Sequence, residues 1–253
     1  MKKISCCIDM MFSQTDFYDR ISAVKNCGID TIEFWKWTNK DIDRVKALLD
    51  ENKMGLSIFN IDSTDEALSY DLSRGILNSG RADEFVKALN ESIPVYKKLN
   101  ASAMIVLIGE NAEYNENNVL KCLNAAKPIV ERENVTLIIE PLNNIDRVGY
   151  SMPYAKPTFE LLRKVNSPNI KMLYDIYHQN MMGDFSIDDI RNNIDIIGHF
   201  HVADAPGRHE PGTGKVDYVK TIDEIEKLSY NGYIGLEYRA TKPDSETLGF
   251  LNL

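Results

Sequence analysis

The feature that most constrains the fold is a strict alternation of short β-rich runs with longer amphipathic runs along the chain. The β-rich runs predict strands at 4–8, 31–34, 55–61, 103–107, 136–140, 170–175, 197–201 and 233–237. Apolar residues at helical spacing between them predict helices, among them 17–27, 42–52, 83–99, 119–132, 157–165 and 219–228. Strands that alternate with helices pair in parallel, so the chain belongs to the α/β class.

Eight βα units favour a closed (β/α)8 barrel over an open sheet, because closure removes the exposed edge strands that a flat sheet would leave. A length of 253 residues is usual for one such barrel, although it would also allow two small domains. The chain shows no low-complexity linker between its units. We therefore predict one TIM barrel domain over residues 1–253.

Two segments interrupt the regular alternation. Residues 62–80 form a long polar insertion after the third predicted strand, and residues 203–214 (ADAPGRHEPGTG) form a loop rich in glycine and proline after the seventh. Both follow the carboxyl end of a strand, which is the face where a barrel carries its binding loops. The alternative is that they are tolerated surface loops, and this alternative is weaker for the second segment.

Polar residues that could bind a metal end four consecutive predicted strands. The fifth strand ends at Glu140, the sixth at Asp175, the seventh at His201 and the eighth at Glu237. Because side chains alternate between the two faces of a strand, a lumen-facing Glu140, His201 and Glu237 would leave only apolar neighbours facing the helices. The pattern predicts that the four side chains converge at the mouth of the barrel.

Three carboxylates that converge in a buried mouth would repel one another unless a cation joined them. Three oxygen ligands and one imidazole suit Mn²⁺, Mg²⁺ or Co²⁺, and they also allow Zn²⁺. The alternative is four ordinary polar residues at strand ends, which consecutive units and matching parity make much less favoured. We predict a divalent-metal site.

All four histidines fall within residues 178–209, which supports a site in this part of the chain. His178 follows Asp175 by three residues and could reach a substrate oxygen, whereas His199 lies one layer deeper and would orient a carboxylate. His209 is interpreted as exposed. Arg208 could bind a carboxylate or hydroxyl with its planar guanidinium, the alternative being an exposed loop arginine.

Glu33, Phe34, Trp35, Lys36 and Trp37 cluster at the end of the second predicted strand. Their aromatic rings could wall a pocket or simply pack in the core. No further role for this cluster follows from the sequence.

Composition excludes several classes of protein. A net charge of −9 and a pI near 5.0 argue against nucleic-acid binding, which relies on clustered lysine and arginine. The chain has no apolar run long enough to cross a membrane, and the apolar run after Met1, Lys2 and Lys3 is shorter than a secretory signal requires, so we expect none. The four cysteines have no metal-binding or disulfide spacing. We expect a cytoplasmic protein with a small-molecule substrate.

Five motifs resemble the hydroxypyruvate isomerase family of xylose-isomerase-like barrels. They are IIEPLNNID (138–146), LYDIYH (173–178), GHFHVAD (198–204), HEPGTG (209–214) and YNGYIGLEY (230–238). The likeness continues through SCCIDMMF (5–12) and GIDTIEF (28–34) near the start of the chain. Ketose 3-epimerases and inosose isomerases are relatives of this family.

The resemblance implies roles for particular residues. It places the metal ligands at Glu140, Asp175, His201 and Glu237, and the pair of catalytic glutamates at Glu140 and Glu237. It places substrate contacts at His178, Arg208 and Asp146. The implied reaction is aldose–ketose isomerisation through an enediolate, as from hydroxypyruvate to tartronate semialdehyde. The resemblance also implies a homo-oligomer.

Two departures from the family pattern concern the substrate more than the chemistry. Some hydroxypyruvate isomerases have glutamine where this chain has His201, and the epimerases have histidine there. The exit of the fourth predicted strand, LIGENAEYN (107–115), lacks the basic residue expected near an acidic substrate.

Other functions remain open from the sequence. A sugar 3-epimerase or inosose isomerase would use the same constellation with a different pocket length. An abasic-site endonuclease of this fold would need more histidines and a basic groove, and a barrel that binds without turnover would not need both glutamates.

Overall fold

In the computed structural model, residues 3–252 fold as a ring of parallel strands surrounded by helices. The strands are β1 (Lys3–Cys7), β2 (Thr31–Glu33), β3 (Gly55–Leu56), β4 (Ile58–Asn60), β5 (Ala103–Leu107), β6 (Leu137–Glu140), β7 (Ile170–Asp175), β8 (Ile197–Val202) and β9 (Tyr233–Leu236). Residues 1, 2 and 253 lie outside the described residues. Both predicted domain bounds, residues 1 and 253, are among them. That the chain is one domain stays a prediction.

The helices are α1 (Asp19–Asn26), α2 (Ile42–Asn52), α3 (Glu66–Arg74), α4 (Ala82–Leu99), α5 (Glu116–Glu133), α6 (Ala155–Val165), α7 (Ile176–Met181), α8 (Ile187–Asn193), α9 (Tyr218–Lys227) and α10 (Asp244–Thr247). Short 3-10 turns occupy Leu77–Ser79, Ile194–Ile196 and Leu248–Asn252. Among the described residues, no helix combines the length and the apolar composition that a membrane crossing requires.

The ring closes at the third barrel strand, which a local irregularity divides into β3 and β4. The strand order is β3-β2-β1-β9-β8-β7-β6-β5-β4, with every pair parallel. Ser57 joins the two halves: its N–H donates to Ile32 O at 2.9 Å, and its carbonyl accepts from Ser102 N at 2.7 Å. Because β3 and β4 are one strand position, the nine segments make an eight-position barrel. The predicted (β/α)8 fold is confirmed.

The apolar runs of the sequence form the layer between strands and helices. All five residues of β5 and all four of β6 are buried, as expected for strands covered on both faces. Asp41 caps α2 by accepting a hydrogen bond from Arg44 N at 3.0 Å. The predicted helix bounds differ from the observed ones by at most three residues, and those of α2 coincide.

The polar insertion at 62–80 is a structured part of the mouth and not a surface loop without a role. The central part of the insertion is α3. Asp65 caps this helix by accepting hydrogen bonds from Ala67 N (3.1 Å) and Leu68 N (3.2 Å). Leu68 and Leu72 are buried on one side of α3. Tyr70, Ser73 and Arg74 of α3 line the cavity at the mouth of the barrel.

Candidate metal centre and substrate cavity

Four side chains from consecutive strands meet at the carboxyl end of the barrel. We call Glu140, Asp175, His201 and Glu237 the ligand cluster. All four are buried, and one donor atom from each lies within 4.8 Å of the others. Parallel pairing places Asp175 beside His201, and His201 beside Gly235, which precedes Glu237 by two residues on the same face. The structure thus brings together the four residues that strand-end spacing predicts.

A glycine on β9 shows which way these strands face. A Cβ atom at Gly235 would lie 2.5 Å from Glu33 Oε1 and 2.7 Å from His199 Nε2. This face of β9 therefore points into the lumen, where no side chain fits beside Glu33 and His199. Parity then turns Glu237, two residues later, into the lumen as well.

The imidazole of His201 lies between two sets of carboxylates. Its Nδ1 is 3.2 Å from Glu237 Oε2 and 3.5 Å from Glu140 Oε1, while its Nε2 is 3.0 Å from Glu33 Oε1. With the Nε2 proton directed to Glu33, the Nδ1 lone pair faces the centre of the ligand cluster. A carboxylate behind a histidine in this way holds a ligating imidazole in one orientation.

Glu33 is the site residue that sequence reasoning missed, because it was placed only in the cluster at the end of the second strand. It accepts hydrogen bonds from Ser5 Oγ (2.8 Å) and Ser57 Oγ (3.0 Å), and His199 Nε2 lies 3.1 Å away. Burial would raise the pKa of Glu33, but the neighbouring His201 and His199 lower it to about 2. The strand-end parity rule, applied to the second strand, would have found it.

The carboxylates of the ligand cluster have different electrostatic environments. Burial raises the pKa of Glu140, and it raises the pKa of Asp175 to about 7. Burial also acts on Glu237, but Arg208 and His201 outweigh it and hold the pKa of Glu237 well below its usual value. His201 loses basicity through burial, yet Glu237 and Glu33 raise its pKa above the usual value.

The donor set fits a divalent cation. Glu140 Oε1 and His201 Nδ1 are buried and have no hydrogen-bond partner among the described residues. Asp175 uses Oδ1 to cap α7 through Tyr177 N (2.7 Å) and His178 N (3.2 Å), which leaves Oδ2 free to face the cluster. Buried polar atoms without partners are costly, and a shared cation would satisfy them. Three carboxylate oxygens and one imidazole nitrogen are a common set for such ions.

His178 lies beside the ligand cluster and is fully buried. Its Nδ1 accepts a hydrogen bond from Asn143 N at 3.1 Å and lies 2.6 Å from Asn143 Nδ2, so Nδ1 is the acceptor nitrogen. Burial lowers the pKa of His178, which keeps the ring neutral with its proton on Nε2. The Nε2–H is therefore a donor at the cavity wall, 3.4 Å from Asp175 Oδ2.

Asp146 also lines the cavity, but it is tied to its neighbours. Its Oδ2 accepts hydrogen bonds from Tyr177 Oη (2.6 Å) and Asn143 Nδ2 (3.0 Å). Through Asn143 it helps to fix the ring of His178. Its predicted role as a substrate contact stays a prediction.

Arg208 reaches into the site from the 203–214 loop. Its guanidinium pairs with Glu237, lies 3.9 Å from Asp175 Oδ2 and stands over the ring of Tyr177 at 5.3 Å. Its Nε is buried and has no hydrogen-bond partner in the part of the chain that the structure describes. The buried Asp204 orders the loop by accepting from Gly212 N at 2.7 Å and from the N–H groups of Ala205 (2.9 Å) and Val216 (3.1 Å).

A cavity of about 560 Å³ opens above the ligand cluster. Three cationic side chains from outside the ligand cluster line this cavity, and we call Lys36, Arg74 and Arg147 the cationic wall. Arg74 Nη2 lies 2.8 Å from Glu110 Oε2, and Arg147 contacts the other oxygen of the same carboxylate. The 107–115 segment, which lacks its own basic residue, thus acquires two arginines from other parts of the chain.

Comparison with known proteins identifies the family. The model of the xylose isomerase-like TIM barrel family matches residues 21–251. The chain belongs to this family. It is 30% identical to hydroxypyruvate isomerase of Escherichia coli (strain K12), over 98% of this chain and 96% of that protein. It is 28% identical to 2-oxo-tetronate isomerase of Cupriavidus necator, over 99% and 98% of the two chains. The predicted family and the prediction of an isomerase are confirmed.

Solved structures of the same fold agree with this placement. A Brucella melitensis structure described as AP endonuclease, family 2, superimposes with a TM-score of 0.91 at 24% identity, over 100% of this chain and 98% of that one. D-psicose 3-epimerase from Clostridium cellulolyticum gives 0.72 at 18% identity, over 93% and 84%. At these identities the two structures show the xylose isomerase-like barrel alone.

Proposed function

We propose that this protein is a metal-dependent aldose–ketose isomerase of small hydroxy-oxo acids, with hydroxypyruvate to tartronate semialdehyde as the first candidate reaction. The observation that carries the proposal is the ligand cluster, with its unpartnered Glu140 and His201 atoms facing one point. The names of the curated relatives supply the class of substrate.

Glu140, Asp175, His201 and Glu237 would hold Mn²⁺, Mg²⁺ or Co²⁺, with Zn²⁺ also allowed by the donor set. When bound, such an ion polarises the carbonyl and neighbouring hydroxyl of the substrate and offsets negative charge that develops on them. The three carboxylates could then all remain ionised in a buried site.

Glu140 and Glu237 are the proposed proton-transfer pair. One carboxylate removes a proton from C3 of hydroxypyruvate to leave an enediolate, and a proton is returned to C2 while the O3 hydroxyl proton moves to O2. The different environments suit different tasks: burial keeps Glu140 the more basic, whereas Arg208 and His201 keep Glu237 ionised.

Three further residues would bind and orient the substrate. The Nε2–H of His178 is available as a donor to a substrate oxygen, because Asn143 occupies its other nitrogen. Arg208 would bind a hydroxyl, oxo or carboxylate oxygen near the ligand cluster. Asp146 would act from the rim of the cavity.

The alternative is a ketose 3-epimerase, for which His201 at the ligand position and the barrel of D-psicose 3-epimerase are the supporting observations. Epimerisation needs proton transfer on two faces of one carbon, which two glutamates at the ends of separated strands, β6 and β9, would allow. Cytoplasmic location, a homo-oligomer and a single domain remain predictions of the sequence.

The deciding experiment assays the purified protein, loaded in turn with each of the four metals, on hydroxypyruvate, 2-oxo-tetronate and a panel of ketoses. We expect tartronate semialdehyde from hydroxypyruvate and loss of turnover after chelation. Epimerised ketoses without turnover of either acid would replace the proposal by the 3-epimerase.

A further inference from the structure

One cation of the cavity differs from the others in its partners. Of the four cationic side chains that line the cavity, Arg74 and Arg147 pair with Glu110, and Arg208 pairs with Glu237. Lys36 forms no ion pair with any residue that the structure describes. Its Nζ donates a hydrogen bond to Ser69 Oγ on α3 at 3.0 Å.

An ammonium group carries three N–H donors, and Ser69 accepts from one of them. Lys36 lines the cavity, and among the described residues its remaining donors have no partner. A partly buried cation loses hydration, and here no ion pair with a described residue offsets that cost. An anionic group of a bound molecule would supply what the chain itself does not.

The backbone that carries Lys36 is fixed beside the ligand cluster. Trp35, the preceding residue, donates from its indole Nε1 to Glu237 Oε1 at 2.8 Å and from its backbone N to Asp9 Oδ2 at 2.6 Å. The carbonyl of Lys36 accepts from Lys40 Nζ at 2.8 Å. Lys36 is thus presented one residue away from a direct contact with Glu237.

The helix that faces Lys36 is fixed as well. At Gly75, which ends α3 with φ +100°, a Cβ atom would lie 2.6 Å from the Cα of Gly109, so only glycine allows this close approach. Arg74 ties the same end of α3 to Glu110. Ser69 therefore holds the ammonium of Lys36 at a set position relative to the ligand cluster.

We propose that Lys36 is the anchor for the substrate carboxylate and that it selects hydroxy-oxo acids over neutral ketoses of the same length. The inference rests on the proposed isomerase function and adds the residue that determines its substrate class. Arg208, whose guanidinium lies between Glu237 and Asp175, would then bind the substrate oxygens nearest the reacting carbons. The inference also gives the 62–80 insertion a role, since α3 positions the anchor.

The test compares Lys36→Met with the wild type in the metal-loaded protein. Hydroxypyruvate and dihydroxyacetone form a matched pair, because a hydroxymethyl group replaces the carboxylate in the second. We expect the ratio of kcat/KM for the acid to that for the neutral ketose to fall about tenfold to a hundredfold, mainly through KM, as for a lost charge-assisted hydrogen bond. Lys36→Arg should recover part of the ratio.

A binding measurement separates this inference from the proposed function. Pyruvate keeps the 2-oxo acid group but lacks the 3-hydroxyl, so it can be titrated calorimetrically without turnover. We expect Lys36→Met to weaken pyruvate binding about tenfold or more, whereas Lys121→Met, which removes an exposed positive charge on α5, should leave it unchanged. Thermal unfolding of each variant checks that the fold is intact.

The outcomes are distinct. Turnover of hydroxypyruvate with an unchanged acid-to-ketose ratio in Lys36→Met overturns the anchor and leaves the isomerase standing. Lys36-dependent binding of pyruvate without turnover of any acid supports the anchor and removes the isomerase. If the acid-to-ketose ratio of kcat/KM falls in Arg208→Met but not in Lys36→Met, the substrate carboxylate is bound by Arg208. Failure of the wild type to bind pyruvate also overturns the proposal that Lys36 is the anchor.

Discussion

The ligand cluster and the cationic wall of the barrel mouth differ in how their charged side chains are compensated. In the ligand cluster, side chains at most 7% exposed crowd three carboxylates around one histidine, and Arg208 is their only arginine contact among the described residues. In the cationic wall, Arg74 and Arg147 are 42% and 35% exposed and share the carboxylate of Glu110. The first side is incomplete without a cation, whereas in the wall one carboxylate of the chain is shared by two of the three cations.

This difference predicts which substitutions of charged residues should have large effects. Burial makes each unpaired charge costly, so the ligand cluster should respond strongly to any change in its charges. Solvent screens the arginines of the wall, where ion pairs contribute little. Chemistry is therefore expected from the buried side and recognition from the exposed side, with Lys36 as the wall residue left without an anionic partner.

The largest effect should come from the ligand cluster itself. We expect Glu237→Gln to lower kcat on the accepted substrate by about 100-fold to 10,000-fold, because it removes a proton-transfer group and a charged ligand. Glu51→Gln, an exposed change on α2, is the matched control. Retained activity in Glu237→Gln, measured at saturating metal, would sink the two-glutamate scheme.

The layer beneath the cluster should come next. Glu33→Gln removes the charge behind His201 and should weaken Mn²⁺ affinity by about 10-fold to 100-fold, as is usual for residues that orient a ligating histidine. Isothermal titration with Mn²⁺ measures this without reference to turnover. Ser57→Ala, which removes only one hydrogen bond to Glu33, should weaken binding less. An equal affinity in Glu33→Gln and wild type would leave Glu33 a purely structural residue.

The stabilisation of the ligand cluster by a bound metal should depend on pH. Burial raises the pKa of Asp175 to about 7 in the folded protein, above its unfolded value, so its ionisation destabilises the metal-free fold as pH rises from about 4 through 7. A bound cation removes that penalty and competes with the proton. The rise in Tm on adding Mn²⁺ should therefore be larger at pH 8 than at pH 5.5. A rise that is the same at both values would contradict the assignment of Asp175 as a ligand.

The smallest effect is expected in the cationic wall. Glu110→Gln leaves Arg74 and Arg147 without their shared partner and should lower KM for an acidic substrate by no more than about fivefold, with kcat unchanged. The change should diminish at high salt, because the two arginines are exposed. A loss of kcat by a hundredfold would instead place Glu110 in the catalytic machinery and remove the contrast between the two sides.

Local pattern was sufficient wherever the physics is local. The barrel follows from the alternation of strands and helices, and α2 begins directly after Asp41, a residue type that commonly caps helices. The convergence of Glu140, Asp175, His201 and Glu237 follows from strand-end spacing and period-two parity, because parallel strands of a barrel end at one face. These features depend on the chain's own periodicity.

Long-range packing decided the remainder. Glu33 lies beneath His201 because β2 and β8 face the same lumen, although 168 positions separate the two residues and no sequence pattern links them. Asn143 determines the tautomer of His178 through a contact between the segment after β6 and α7, and Glu110 obtains both arginines from elsewhere in the chain. Periodicity specifies which face of a strand a side chain occupies, but which partner stands opposite depends on how the barrel closes. That Lys36 has no ion pair among the described residues is also decided by long-range packing, because it depends on where α3 and the other charges of the mouth lie.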